Sequence, residues 1–362
     1  MRVLIAPDKF AGTLTAPQAA EAMARGWARQ APGDQLDLAP MADGGPGFVD
    51  VLHASLGGEL LATSVSGPHG QPVPATVLKV GDRVYVESAQ ACGLHLCDGS
   101  DPETRSSGGV GELLLAARDC GAREVVVGLG GSGTTDGGAG LLAALGATAD
   151  APLDAGPRGL SGVSAVDLEP ARRALSGLSL VAASDVDNPL TGLFGAARTY
   201  GPQKGLAEEA LVAVDVALES WAVACDRRTS LEPGAGAAGG VGFALLLLGA
   251  GREPGIDLVS AVVGLPQRAR QADLVLTGEG AFDFSSRAGK VPYGVAQIAG
   301  EQLRPCVALA GQVLVGSREM RALGIESAYS VAEAYGEDRA LTEPADALAD
   351  LAARVARSWS PA

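Results

Sequence analysis

The stretch GLGGSGTTDGGAG at residues 128–140 places seven glycines, three hydroxyl side chains and one acid in thirteen positions. Glycine lets main-chain N–H groups approach an anion closely, because no Cβ stands in the way. Such amides, with hydroxyls among them, make a cradle for phosphate. The apolar run Val125–Val127 before the loop reads as a strand, and AGLLAALGA after it as a helix. A tight packing turn is the plainer use of such a segment, but seven glycines exceed what one turn needs. Gly128, Gly130 and Gly133 also fit G-x-G-x-x-G, with Asp150 near the distance of a ribose-reading acid. That leaves a nicotinamide-dependent dehydrogenase open. In a chain with 51 glycines the match is weak, and the loop hydroxyls with Asp136 suit phosphate and metal better. No G-x-x-x-x-G-K-[ST] pattern occurs, which argues against a P-loop kinase.

The lysines add to this. Of 27 basic residues only four are lysine: Lys9, Lys79, Lys204 and Lys290. Three of them lie in glycine-containing loops, DKFAG, GPQKG and AGKVPYG. A compact ammonium group touches a phosphate oxygen as a point charge where a broad guanidinium would not fit. The acids cluster likewise, as Asp43 in MADGG, Asp185 and Asp187 in SDVDNP, and Glu279 and Asp283 in TGEGAFD. Each group follows an expected strand. Acids there can position Mg²⁺ or take a proton from a hydroxyl nucleophile, or simply cap a turn. A second glycine-rich run, PGAGAAGGVG at 233–242, either closes over a ligand or lets two helices pack tightly. Together these features point to phosphoryl transfer, which depends mostly on positioning and charge neutralisation. They do not name the acceptor.

The elements that must hold these loops are legible in outline. Val3–Ala6 predicts a buried strand. Thr15 is placed as an N-cap with Gln18 three residues on and Pro17 in the first turn, a capping-box pattern. Ala19, Ala22, Met23, Gly26 and Trp27 then share one helical face. QLDLAP predicts a second strand, which makes a βαβ opening. After Gly58 short alternating segments between Gly and Pro turns predict antiparallel hairpins. From Ala272 the βα rhythm returns through ADLVLTGEG, PCVALAGQ and SAYSVAE, and a last helix covers 344–358. The expected fold class is α/β with two domains. Residues 1–58 and 265–362 form a discontinuous Rossmann-like or flavodoxin-like parallel-sheet domain. Residues 59–264 form an inserted mixed α/β domain carrying the glycine-rich loops. In open α/β sheets ligands sit beyond the carboxyl ends of the strands, where the polar loops lie.

The bulk composition agrees. At 362 residues two domains are the default, and 47% hydrophobic residues can fill both cores. A net charge of −15 makes nucleic acid and anionic membrane poor partners. Five scattered cysteines fit a reducing, cytoplasmic setting. Cys92 and Cys97 flank His95 in CGLHLC, where half-buried packing is a better reading than a metal site. The opening MRVLIAPDKF lacks the pattern of a secretory leader, and the longest apolar stretch, FALLLLGA, is far too short to cross a bilayer.

Six ordered blocks resemble the type I glycerate kinase (glycerate 2-kinase) family: APDKFAGTLTA (6–16), PMADGGPGF (40–48), GLGGSGTTDGGAG (128–140), ASDVDNPLTGLFGAARTYGPQKG (183–205), PGAGAAGGVG (233–242), and DLVLTGEGAFDFSS (273–286) with GKVPYGVA (289–296). The resemblance spans essentially the whole chain. It implies transfer of phosphate from ATP to D-glycerate, at the 2-hydroxyl, with Mg²⁺. Two departures bear on the acceptor. Where the family often reads DSFKGS, this chain has Asp8-Lys9-Phe10-Ala11-Gly12-Thr13. Where the family often reads DGGEGT, it has Asp43-Gly44-Gly45-Pro46-Gly47-Phe48. On this reading Gly130, Gly131, Ser132, Gly133 and Thr134 cradle the ATP phosphates, and Lys204 and Lys290 neutralise transferring charge. Asp43 or Asp185 orients or deprotonates the acceptor hydroxyl. Asp136, Glu279 or Asp283 holds Mg²⁺, and Lys9 or Arg198 pairs with the substrate carboxylate. The expected partners are D-glycerate or a close hydroxy acid and ATP, with a homo-oligomer compatible. A non-catalytic anion sensor stays open as a third class, since Ala11 and Pro46 replace polar residues.

Overall fold

The computed structural model describes residues 1–283 and 290–360. The chain divides into two compact units. The first comprises Met1–Asp43, Asp50–Gly57 and Ile256–Ala362; the second comprises Gly44–Val49 and Gly58–Gly255.

The first unit is built on a five-stranded parallel sheet. Its strands in spatial order are Gln35–Leu38, Arg2–Ile5, Leu274–Thr277, Cys306–Ala310 and Ser327–Ser330. Numbered by chain order within the sheet this is 2-1-3-4-5, the flavodoxin order. Arg2–Ile5 lies inside the sheet, with Val3 opposite Leu36 on one side and Leu274 on the other. Val3, Leu4 and Ile5 are all buried, as a strand covered on both faces requires.

The helix Ala16–Gln30 starts as its sequence dictates. Thr15 Oγ1 accepts from the Gln18 amide, and the Gln18 side chain accepts from the Thr15 amide. Its buried face, Ala19, Ala22, Met23 and Trp27, packs with the sheet and with the C-terminal helix Pro344–Trp359. Gly26 sits where the two helices touch, and a Cβ there would run into the Ala349 main chain.

The second unit carries a six-stranded mixed sheet in the order Gly251–Glu253, Ser179–Ala183, Glu124–Gly128, Arg83–Glu87, Pro72–Val80, Glu59–Ser66. The first four strands run parallel. The last three form the antiparallel meander that the Gly and Pro turns foretold. Among the elements that escaped sequence reasoning are an edge strand and a helix. Gly251–Glu253 is a three-residue edge strand next to a glycine, too short for periodicity to register. The helix Phe48–Leu56 follows directly on a glycine-rich loop, and the carboxylate that takes its first amides, Glu87, lies some 40 residues away in the sequence.

Candidate functional site

Within the second unit, the glycine-rich loop leaves the carboxyl end of Glu124–Gly128, a strand whose Val125, Val126 and Val127 are buried. It passes beside the loop Gly44–Gly47. A Cβ on Gly130 would lie 2.7 Å from the Gly45 α-carbon, and Gly131 has φ +66° with the Pro46 ring against it. Two main chains approach here at a distance that only glycine permits. Gly47 and Val49 donate their amides to Glu87, 3.1 and 3.3 Å away, which anchors the Gly44–Val49 segment.

The loop's carbonyls are held from behind. Gly131 O accepts from the Leu94 amide at 2.8 Å. Gly133 O accepts from Arg105 Nη1 at 3.3 Å, and Thr134 O from Lys204 Nζ at 2.7 Å. Lys204 Nζ also donates to Ser132 Oγ at 2.9 Å, and Gly137 O takes the Trp221 indole N–H at 3.0 Å. The amides of Gly130, Gly131, Ser132 and Thr134 have no acceptor among the described residues. Three carbonyls of the loop are thus taken by protein donors, the Gly133 amide is spent on Cys92 O at 2.7 Å, and the accessible end of the loop, Gly130 and Gly131, keeps its amides.

Lys204 belongs to the one-turn 3₁₀ segment Pro202–Lys204 and is buried. Burial pulls its pKa from 10.5 down to about 8, although Cys92 and Asp136 nearby favour the charged form. Asp136 is fully buried. Its oxygens accept from the Ser107 amide (2.7 Å) and hydroxyl (2.8 Å) and from the amides of Gly138 (3.0 Å) and Gly140 (3.2 Å). Burial pushes its pKa up, and those four bonds oppose the shift. Both residues face into the loop's own support. That differs from the expectation of a metal ligand at Asp136 and a phosphate contact at Lys204. Sequence alone hid this, because the partners Ser107 and Ser132 are 29 and 72 residues away from them.

Asp185 is half-buried in the turn after Ser179–Ala183. Asp187 in the same turn pairs with Arg252. Arg198 stands 3.5 Å from Asp215, on the helix Glu208–Cys225. Asp150 accepts from the Ser164 amide and hydroxyl and from the Ala165 amide, which ties it to a local turn. The helix after the G-x-G-x-x-G match starts only at Ala139, not at Gly133 as a dinucleotide fingerprint requires. Lys79 donates to Cys120 O, 2.6 Å away.

Within the first unit, three acids gather beyond the carboxyl ends of adjacent strands. Asp8 follows Arg2–Ile5, Asp43 follows Gln35–Leu38 and Glu279 follows Leu274–Thr277. The Asp8 amide donates to Gly278 O at 2.8 Å, and the Met41 amide to Pro7 O at 2.9 Å, so the three loops continue the strand pairing. The chain order reverses between Arg2–Ile5 and Leu274–Thr277, the switch point at which such sheets bind ligands. Asp8 is buried and its pKa is raised to about 7. Burial is the main cause; Asp43 and Glu279 push the same way and Lys9 opposes them. Lys9 Nζ is 3.5 Å from Asp8 Oδ1. Lys290 Nζ lies 3.6 Å from Glu279 Oε2 and 3.4 Å from Asp283 Oδ1. In the loop DKFAG the sequence marks Lys9 as a candidate and gives no sign that Asp8 beside it is buried. The block residues 284–289 lie outside the described residues. Among the described residues no group of three or more His, Cys, Asp or Glu has metal-site geometry.

A parallel sheet of flavodoxin order with acids and lysines beyond its switch point, and a glycine loop that keeps amides without acceptors, fit an α/β enzyme of the phosphotransferase class. Comparison with known proteins narrows this. The family model described as "Glycerate kinase family" matches residues 3–360. A glycerate kinase of Bacillus subtilis (strain 168) is 38% identical, covering 91% of this chain and 90% of its own. A glycerate 2-kinase of Escherichia coli (strain K12) is 36% identical, covering 93% and 92%. The crystal structure of a provisionally named glycerate kinase 2 from Salmonella typhimurium LT2 superposes with a TM-score of 0.81 at 34% identity, covering 99% and 98%. The chain belongs to the glycerate kinase family, and its activity is that of a glycerate kinase.

Proposed function

We propose that the protein transfers the γ-phosphoryl group of ATP to the 2-hydroxyl of D-glycerate, giving 2-phosphoglycerate and ADP. The observation that carries this reading is the Gly130–Thr134 loop, in which the Gly131, Gly133 and Thr134 carbonyls are held by protein donors while the Gly130, Gly131 and Ser132 amides have no acceptor among the described residues. That is the arrangement a triphosphate needs. The glycerate 2-kinase among the relatives supports the choice of hydroxyl.

The hydroxyl oxygen attacks the γ-phosphorus and the bond to the β–γ bridging oxygen breaks. The hydroxyl proton passes to a carboxylate, for which Asp43 and Asp185 are the sequence-derived candidates. Asp8 joins them, as a buried carboxyl at the switch point with a pKa near neutrality. Lys290 offsets charge on the transferring group, and Lys9 or Arg198 pairs with the substrate carboxylate. Mg²⁺ is commonly held by one or two carboxylates together with substrate phosphates. Glu279 and Asp283, both beside the Lys290 ammonium, fit that donor set. The ion's contribution, when bound, is to neutralise developing charge on the phosphates. Asp136 and Lys204 are assigned to holding the loop rather than to metal and phosphate.

The units described above serve as the two domains on this reading, and the enzyme works in the cytoplasm. No helix among the described residues is long and apolar enough to cross a membrane. The deciding experiment is a coupled ADP-release assay with ATP and Mg²⁺ across D-glycerate, L-glycerate, lactate and tartronate, with the product read by ³¹P NMR. D-Glycerate should be the preferred acceptor and the product 2-phosphoglycerate. Absence of ADP release above the ATP-only background with every acid, or a 3-phosphoglycerate product, overturns the reading.

A further inference from the structure

Arg105 lies in the segment DPETRSSGG, which no sequence motif marked. It is 2% exposed, a guanidinium taken almost wholly out of water. Its Nη1 donates to Lys204 O at 2.7 Å and to Gly133 O at 3.3 Å, and its Nη2 to Ser100 O at 2.7 Å. All three acceptors are main-chain carbonyls, and no carboxylate lies within ion-pair distance of it among the described residues. The Lys204 ammonium is held in the same way, on Ser132 Oγ and Thr134 O. A Cβ on Gly239 would stand 2.9 Å from Nζ, so the ammonium is closed in on that side too. Two buried cations therefore stand behind five residues of loop, and Arg105 also fixes the main chain that carries Lys204.

Burying a cation without a partner carboxylate is unfavourable, so the arrangement needs a reason beyond packing. The geometry supplies one. A peptide whose carbonyl is drawn inward presents its N–H in the opposite direction. With Gly133 O and Thr134 O both taken from behind, the peptides that carry the buried Thr134 and Thr135 N–H groups are fixed, and Lys204 also ties down Ser132 through its hydroxyl, so the main chain next to Gly130 and Gly131 cannot shift. We propose that Arg105 and Lys204 are positioning residues which fix the Ser132–Thr134 main chain so that the adjoining Gly130 and Gly131 amides meet the nucleotide's phosphates, without themselves touching them. This rests on the phosphate-cradle reading of the loop given above.

The two ideas fail in distinguishable ways. Binding of ATP and of inorganic tripolyphosphate to the wild-type protein, read by calorimetry, tests the cradle alone. The positioning role is tested with Arg105→Lys, Arg105→Gln, Lys204→Gln and Lys204→Met. Circular dichroism establishes which of them fold, and steady-state kinetics are run in both substrates. Arg105→Gln and Lys204→Met should raise the KM for ATP and weaken tripolyphosphate binding by about tenfold or more, with the KM for glycerate changed less than about twofold. Lys204→Gln keeps a side-chain donor for Thr134 O and Ser132 Oγ, so it should retain most of the affinity, as should Arg105→Lys. Lys204→Gln is also the mildest change, so it carries the test if the Arg105 variants do not fold. A Lys204→Gln variant as impaired as Lys204→Met, with the loss in kcat, would mean direct charge contact with phosphate and overturn the proposal. So would a folded Arg105→Gln or Lys204→Met variant with wild-type ATP affinity, or one in which both KM values rise alike.

Discussion

Lys204 gives a prediction with a defined sign and size. In the folded protein its pKa falls from 10.5 to about 8, mainly through burial. At ~1.4 kcal/mol per pH unit, protonated Lys204 is disfavoured in the fold by ~3 kcal/mol. Below pH 8 the protein bears that in full. Between about pH 8 and 10.5 the unfolded chain binds the proton and the folded chain does not, so stability from this group rises with pH across that window. Lys204→Met removes the titration. It also leaves the buried Thr134 carbonyl without its donor, at a cost of ~1–3 kcal/mol. At pH 7 the two effects nearly cancel, and the variant should lie within ~2 kcal/mol of wild type. Toward pH 10 the wild type should pull ahead by up to ~3 kcal/mol more. Urea unfolding followed by fluorescence of the buried Trp27 and Trp221 at pH 7, 8, 9 and 10 measures this. Only the wild-type-minus-variant difference is read, so groups common to both drop out. A difference that stays flat across the series, or slopes the other way, would refute the buried-charge reasoning.

Asp8→Asn tests the acid cluster. Its pKa is raised to about 7, so the folded state holds this proton between pH 4 and 7 and the group's contribution to stability is lost as pH rises through that window. The variant should therefore melt higher than wild type at pH 8 in a thermal scan, with no gain at pH 4, while turnover falls about 10²-fold. Asp136→Asn keeps one acceptor oxygen but turns an amide toward N–H donors. It should cost ~2–4 kcal/mol in urea unfolding, and a loss below ~1 kcal/mol would remove Asp136 as the pin of the loop. Thr15→Ala breaks the capping box of Ala16–Gln30 and should cost ~1 kcal/mol by the same method, leaving kcat and both KM values unchanged.

Much of the first unit could be read along the chain. Its three inner strands, Arg2–Ile5, Leu274–Thr277 and Cys306–Ala310, are short apolar runs, and the Thr15/Gln18 cap lies within four residues of sequence. The choice between a Rossmann and a flavodoxin order could not be read. It depends on whether Leu274–Thr277 pairs with Arg2–Ile5 or with the outer edge of Gln35–Leu38, and the pairing it makes with Arg2–Ile5 spans some 270 residues. In the second unit the glycine loop announced itself, and Val125–Val127 marked the strand before it. Asp8 and Arg105 were missed for one physical reason. A charged residue in a polar loop looks the same in sequence whether water or the protein surrounds it, and only burial made these two unusual.

By itself, then, the sequence determined the local chemistry: where glycine frees the main chain, which apolar runs form strands, and which acids and lysines stand beyond strand ends. These follow from backbone sterics and periodicity over a few residues. Tertiary structure decided what each charge does. Arg105 meets Lys204 O across 99 residues, and Lys204 meets Ser132 across 72. Those contacts place two buried cations on the loop's own main chain, which is the basis for proposing them as its supports. Burial and hydrogen-bond direction are properties of the packed chain, and no spacing rule encodes them.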